Sequence, residues 1–209
     1  MKEQPYVITI SHQLGCGGSY IGKKLSDEFH IPFVDRDILK QIANKLNIAE
    51  EDLEHRDERL SSFWEEFTRL QLYTEPLAGG ELQYYPSDKE LFYLESEYIT
   101  RIVKESPAII LGRGGRYILR DHPRHANIFI TADLPERIKR VATLFQITEE
   151  EAKEKIQTND KERAAFDRAF TKSDGLDARL YDLCINTSSL GLDLAARIVS
   201  DAIHFKLDI

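Results

Sequence analysis

Apolar and polar positions alternate between two rhythms along this chain. Five short apolar runs stand out, most of them apolar on successive residues: Tyr6–Ile10, Ile31–Val34, Ala108–Leu111, Asn127–Ile130 and Asp182–Ile185. Runs of this kind, rich in Val, Ile and Phe, predict strands covered on both faces, as in a parallel sheet. Helical spacing separates them. Ile21, Leu25 and Phe29 recur four residues apart, and Ile138, Val141 and Phe145 follow a helix start at Asp133-Leu134-Pro135-Glu136. Thr148 with Glu151 fits a capping box, opening a helix with Ala152 and Ile156 inside. Leu192, Ala195, Ala196, Val199 and Ile203 give a last apolar face. Strands alternating with helices predict an α/β fold around a parallel sheet, in one domain spanning residues 1–209.

Two stretches break the rhythm. Residues from about 42 to 105 are mostly helical in pattern and read as an insertion. Its middle, Thr74–Asp88, holds Pro76, Gly79, Gly80 and Pro86 and reads as a loop. Residues from about 157 to 179 are charged and weakly apolar, and read as a lid or an exposed helical hairpin.

Composition narrows the partners. The chain has 209 residues, 36 acids against 28 bases and a formal charge of −8. That balance argues against a nucleic-acid polymer or an anionic membrane surface as the partner and leaves room for a local basic pocket. Two distant cysteines, Cys16 and Cys184, have no metal-ligand spacing. With no signal peptide or apolar span visible, a cytoplasmic setting with reduced thiols is expected.

The strongest chemical signal lies after the first strand. Ser11 and His12 come next, Gly15, Gly17 and Gly18 follow, and a helix opens at Ser19-Tyr20. Glycines that turn backbone N–H groups inward, followed by a helix N-terminus, make a seat for phosphate. The pattern GxxxxGK[ST] laid on this loop puts His12 at the first glycine, Gly17 at the second, Gly18 at the lysine and Ser19 at the hydroxyl position. A dinucleotide fingerprint also fits in part, with Gly15 and Gly17 opening the helix and Asp35 at the end of the next strand. Farther on, Arg113 stands between Gly112 and Gly114 at the end of the third strand, placed to fork onto a phosphate.

Taken in order, six segments resemble the cytidylate kinase-like family of P-loop nucleoside monophosphate kinases. They are Ile8-Thr9-Ile10-Ser11 with the Gly15–Ser19 loop; Ile31 through Asp35-Arg36-Asp37; Ile110-Leu111-Gly112-Arg113-Gly114; Asn127 through Thr131 with Pro135-Glu136-Arg137; Asp160-Lys161-Glu162-Arg163; and Asp182 through Asn186-Thr187. The resemblance implies a three-layer kinase fold with five parallel strands, a monophosphate-binding insertion and a lid. It implies transfer of the γ-phosphoryl of ATP to a nucleoside monophosphate, CMP or dCMP by default, with Mg²⁺. Ser11, His12, Gly15, Cys16, Gly17, Gly18, Ser19 and Tyr20 would form the nucleotide seat, with Asp35, Arg36 and Arg137. Arg113, Lys161 and Arg163 would be catalytic, and Ser19 would meet the metal. Against the family's pattern, Gly18 replaces the lysine, and Leu111 and Gly114 stand where acids flank the strand-three arginine. A nucleotide-binding module without turnover is therefore a second expectation, and a dinucleotide-binding protein a third. Association into a homo-oligomer stays open.

Overall fold

The computed structural model describes residues 4–35 and 88–209. Five strands form one sheet: β1 (Val7–His12), β2 (Phe33–Val34), β3 (Ala108–Leu111), β4 (His125–Thr131) and β5 (Leu183–Asn186). Their order is β2-β3-β1-β4-β5, and every pair is parallel. The helices are α1 (Gly18–Phe29), α2 (Asp88–Glu105), α3 (Gly115–Ile118), α4 (Leu134–Phe145), α5 (Glu149–Phe166), α6 (Thr187–Leu190) and α7 (Leu192–Leu207).

The apolar runs are continuous because alternate residues serve opposite faces of the sheet. Ile8 and Ile10 of β1 join Ile109 and Leu111 of β3 in a core shared with Ile21 and Leu25 of α1 and Val199 and Ile203 of α7. Val7, Ala108 and Ile110 point the other way, onto Ile99 and Val103 of α2. A satellite cluster of Val141, Ala152 and Ile156 joins α4 to α5. The expected capping box is present, with Thr148 Oγ1 accepting from the Glu151 amide at 3.2 Å and the Glu151 carboxylate accepting from the Thr148 amide at 2.8 Å.

Two boundaries and the strand order differ from expectation. β1 runs two residues farther, through Ser11 and His12, which lie opposite Phe129 and Ile130 of the longer β4. Residues 157–166 are the second half of α5 rather than part of a separate hairpin; a π-helical turn, Asp167–Thr171, follows. The strand order also removes the dinucleotide fingerprint. That motif needs the acidic second strand beside the first, whereas β3 lies between β2 and β1. Among the described residues no helix is long and apolar enough to cross a membrane.

One polar network is built into the sheet. Thr9 Oγ1 donates to Asn127 Oδ1 at 2.9 Å and lies 2.7 Å from His125 Nε2, which therefore carries the proton. Asn127 Nδ2 donates to the Leu180 carbonyl. Burial is the main cause that lowers the His125 pKa from 6.5 to about 4. The folded state thus favours the neutral ring. Its contribution is complete above pH 6.5 and is lost as pH falls towards 4, by about 3 kcal/mol in all. His125→Gln is expected to flatten the stability–pH curve in that window, measured by urea unfolding. Parallel curves for the two proteins would refute this role.

Candidate active site

The loop between β1 and α1 is shaped from outside. Gly15 and Gly17 have φ of 82° and 90°, where a side chain is strained, and a Cβ on Gly15 would stand 2.8 Å from the Arg137 carbonyl oxygen. A Cβ on Gly17 would collide with Leu192. Successive loop carbonyls accept bonds from outside the loop. Arg137 Nε donates to the Leu14 oxygen at 2.7 Å. Arg140 Nη1 donates to the Cys16 oxygen at 3.2 Å, and Thr187 Oγ1 reaches the same oxygen at 2.8 Å. In a trans peptide the N–H points opposite to the C=O. Engaging the Leu14 and Cys16 carbonyls on the outer side therefore turns the amides of Gly15 and Gly17 to the inner side. This is the polarity an anion seat requires.

His12 and Gly18 are in contact. A Cβ built on Gly18 would lie 2.7 Å from both Cβ and Cγ of His12 and 2.9 Å from its Cδ2. The imidazole fills the ground that a longer residue at 18 would need. Arg163 reaches back from α5, donating from Nη1 to the His12 carbonyl at 2.7 Å and from Nε to Asn159 Oδ1 at 2.9 Å, with Nη2 3.4 Å from His12 Nε2. A guanidinium only donates, so Nε2 accepts and the ring proton sits on Nδ1. Among the described residues Nδ1 has no hydrogen-bond partner and is enclosed. Burial, with Arg163 and Arg113 nearby, holds the His12 pKa well below the ordinary imidazole range, so the ring is neutral. Ser11 is engaged by Tyr181, whose hydroxyl also donates to the Gly175 carbonyl at 2.6 Å.

Arg113 stands at the end of β3 in a left-handed turn of three residues, with φ of 68°, 56° and 63° at Gly112, Arg113 and Gly114. Flanking glycines make the turn affordable, and the non-glycine centre stores strain of the sort found at functional sites. Its guanidinium pairs with Glu95 of α2 at 3.3 Å, both side chains less than a tenth exposed. Phe92 of α2 packs edge-on against Phe166 and obliquely against Phe170, over Gly114. Asp35 lies one residue beyond β2, at the same edge of the sheet. Asp167, its pKa raised mainly by burial, faces Arg116 and Arg163.

The structure thus brings His12, Gly15, Gly17, Gly18, Arg113 and Arg163 together and places others elsewhere. Tyr20 is a correction: its side chain is about half exposed and donates to Asp193 of α7 at 2.8 Å, on the outside of α1. Lys161 is another. It is exposed, two residues from Arg163, and positions two apart on a helix face different ways. Arg137 is a third, because its fork is closed on Asp160 at 2.9 and 2.7 Å while Nε holds Leu14, so it acts as a brace. Cys16 is buried in the core; burial pushes its thiol pKa up, and the loop amides of Gly18 and Gln13, which meet the sulfur, oppose that shift. Ser19 is exposed at the start of α1. Arg36 lies outside the described residues. Among the described residues no group of three or more His, Cys, Asp or Glu side chains could hold a metal.

Sequence reasoning missed Arg140 and Glu95. Nothing in the local pattern marks Arg140. Glu95 did carry a signal, since it lies four and eight residues before Ile99 and Val103 on the buried stripe of α2, where a carboxylate needs a partner.

Similar folds have been seen. An uncharacterized protein from Eubacterium ventriosum superposes with a TM-score of 0.70 at 21% identity, over 95% of this chain and 98% of that one. Shikimate kinase from Bacteroides thetaiotaomicron does so with 0.54 at 15%, over 98% and 99%. A gluconokinase from Sinorhizobium meliloti gives 0.52 at 12%, over 99% and 96%. At such identities the likeness concerns the fold. No curated protein matches the sequence. The model of one family spans residues 7–189, covering every strand and the whole site, and the chain belongs to that cytidylate kinase-like family.

Proposed function

We propose that this protein transfers the γ-phosphoryl of ATP to a nucleoside monophosphate in the cytoplasm, with CMP or dCMP as the default acceptor. The observation that carries the reading is that Arg163 of α5 donates to the His12 carbonyl at the end of the loop strand, 2.7 Å away, while Arg113 at the end of β3 lies near enough for its charge to act on the same ring. One cation on the acceptor side and one over the transferring group are what an in-line phosphoryl transfer requires. The inward amides of the braced loop would hold the donor phosphates. Arg113 would exchange its long contact with Glu95 for the acceptor's phosphate, and Asp35 would read the sugar or base. Arg163 would spread the charge of the transition state, and α5 with the turn after it would serve as the lid. No covalent intermediate is needed, because positioning and electrostatics supply the rate.

The seat fits a nucleotide phosphate because it carries an enclosed imidazole N–H that has no acceptor among the described residues, beside glycines that admit close approach. Ser19, with phosphate oxygens and water, would hold Mg²⁺, which would supply charge neutralisation on the donor phosphates. The test is a coupled ADP-release assay with Mg²⁺-ATP across all common nucleoside monophosphates, with shikimate and gluconate alongside. Turnover is expected with one nucleotide pair. Turnover with a sugar or carboxylic acid alone would replace the acceptor class, and no turnover with any acceptor would remove the enzyme reading. A second reading, nucleotide binding without catalysis, is favoured by Gly18 and the neutral His12 at the lysine's place. It predicts tight calorimetric binding of nucleotide in the same panel without ADP release.

A further inference from the structure

The loop lacks the lysine of GxxxxGK[ST], and the structure shows why position 18 cannot carry one. A side chain there would start 2.7 Å from the root of the His12 ring. The ring in turn is the platform on which Arg163 rests, through the His12 carbonyl at 2.7 Å and Nε2 at 3.4 Å. On the ring edge away from Gly18 lies the enclosed Nδ1–H, a donor with no acceptor among the described residues. An unmet buried donor is costly unless something arrives to accept from it. These facts share one explanation.

We propose that His12 and Arg163 together replace the loop lysine: the imidazole fills the lysine's space and offers Nδ1–H to a donor phosphate oxygen, and the guanidinium supplies the missing positive charge. The inference rests on the phosphoryl-transfer reading for its ligand, a nucleoside triphosphate, and goes beyond it in where the donor's cation comes from. In a standard loop the lysine is part of the loop itself and meets the triphosphate before any lid closes. Here the cation belongs to α5, so the donor seat is complete only when α5 is docked. Binding of the triphosphate is thereby coupled to closure, which protects the donor from water until the site is assembled.

The swap of residues 12 and 18 tests this directly. Gly18→Lys alone is expected to lower affinity for a non-hydrolysable ATP analogue at least ~10-fold, because the lysine and the imidazole compete for one space. Combined with His12→Gly, the loop carries the full spacing Gly-x-x-x-x-Gly-Lys-Ser, and affinity is expected to return to within ~3-fold of the natural protein. Arg163→Gln should weaken analogue binding and turnover by ~100-fold in the natural loop and by less than ~10-fold in the doubly substituted one. Arg163→Lys should retain part of the natural affinity. Calorimetry with the analogue needs no acceptor, so the pattern can be read even if no acceptor is phosphorylated. That outcome removes the kinase reading and leaves this inference standing. The inference is overturned if Arg163→Gln costs the same in both loops, or if Gly18→Lys alone binds the analogue more tightly. Thermal unfolding of each variant separates loss of the seat from loss of the fold, and a folded Arg163→Gln with unchanged affinity also overturns it.

Discussion

Arg113→Ala is expected to raise the acceptor KM at least ~100-fold while leaving ATP-analogue affinity within ~3-fold, and to destabilise the protein by about 3 kcal/mol. The kinetic half follows from the proposed role: Arg113 is carried by the strand next to the loop strand, and its guanidinium, paired with Glu95 in this structure, would turn to the acceptor's phosphate. The stability half follows from Glu95. Its carboxylate is 4% exposed, and removal of the guanidinium 3.3 Å away leaves a buried charge without that partner. Breaking a buried pair from one side costs about 3–5 kcal/mol. Backbone strain does not confuse the result, because alanine at φ of 56° is as strained as arginine. Arg113→Gly should be less destabilised than Arg113→Ala by about 1 kcal/mol for that reason. Adding Glu95→Leu to Arg113→Ala should restore much of the stability and none of the acceptor use. Urea unfolding and steady-state kinetics read the two halves separately. Equal losses of acceptor and donor binding would place Arg113 outside the acceptor's site.

The same buried pair shows how far the sequence could be read. The left-handed turn was visible as an arginine between glycines, and its place at a strand end followed from the apolar run of Ala108–Leu111. What the sequence did not show was the partner. Glu95 belongs to a helix more than a dozen residues earlier, and only tertiary packing brings it under β3. The strands, the capping box and the loop were legible because each depends on neighbours in sequence: a continuous apolar run, a side chain meeting an amide three residues on, glycines before a helix. The order β2-β3-β1-β4-β5 was not, since it depends on which strands meet after long crossovers.

The site itself divides along the same line. His12 could be laid on the loop pattern from sequence, but its neutrality could not, because it arises from enclosure by residues that include Arg163, 151 positions away. The family resemblance groups Lys161 and Arg163 as lid cations. The helical period separates them, and the continuity of α5 through both positions makes that separation firm. The family resemblance puts Tyr20 in the seat, yet the helix carries its side chain to α7.

Arg137 offers the sharpest contrast between a role implied by resemblance and one implied by geometry, and a double-mutant cycle separates them. Its side chain is 4% exposed, closes a bidentate fork on Asp160 and pins the Leu14 carbonyl. Those bonds tie three segments together: α4, the phosphate loop and α5. Arg137→Ala is therefore expected to destabilise the fold by about 2–3 kcal/mol, the smaller part of the buried-pair range because Asp160 is about a third exposed and water can reach it. Asp160→Asn should cost about 1 kcal/mol, and the double variant little more than Arg137→Ala alone, giving a coupling energy near 1 kcal/mol. Arg137→Lys should fail to rescue, since one ammonium cannot span a carboxylate fork and a carbonyl. ATP-analogue affinity should fall in Arg137→Ala and in Asp160→Asn alike, because both loosen the loop. A residue that touched the phosphate would behave otherwise: Arg137→Ala would lose affinity at unchanged stability, and Asp160→Asn would bind more tightly, its competing charge removed. The sign of the Asp160→Asn effect on analogue binding thus decides between brace and ligand, and the fork on Asp160 predicts a loss.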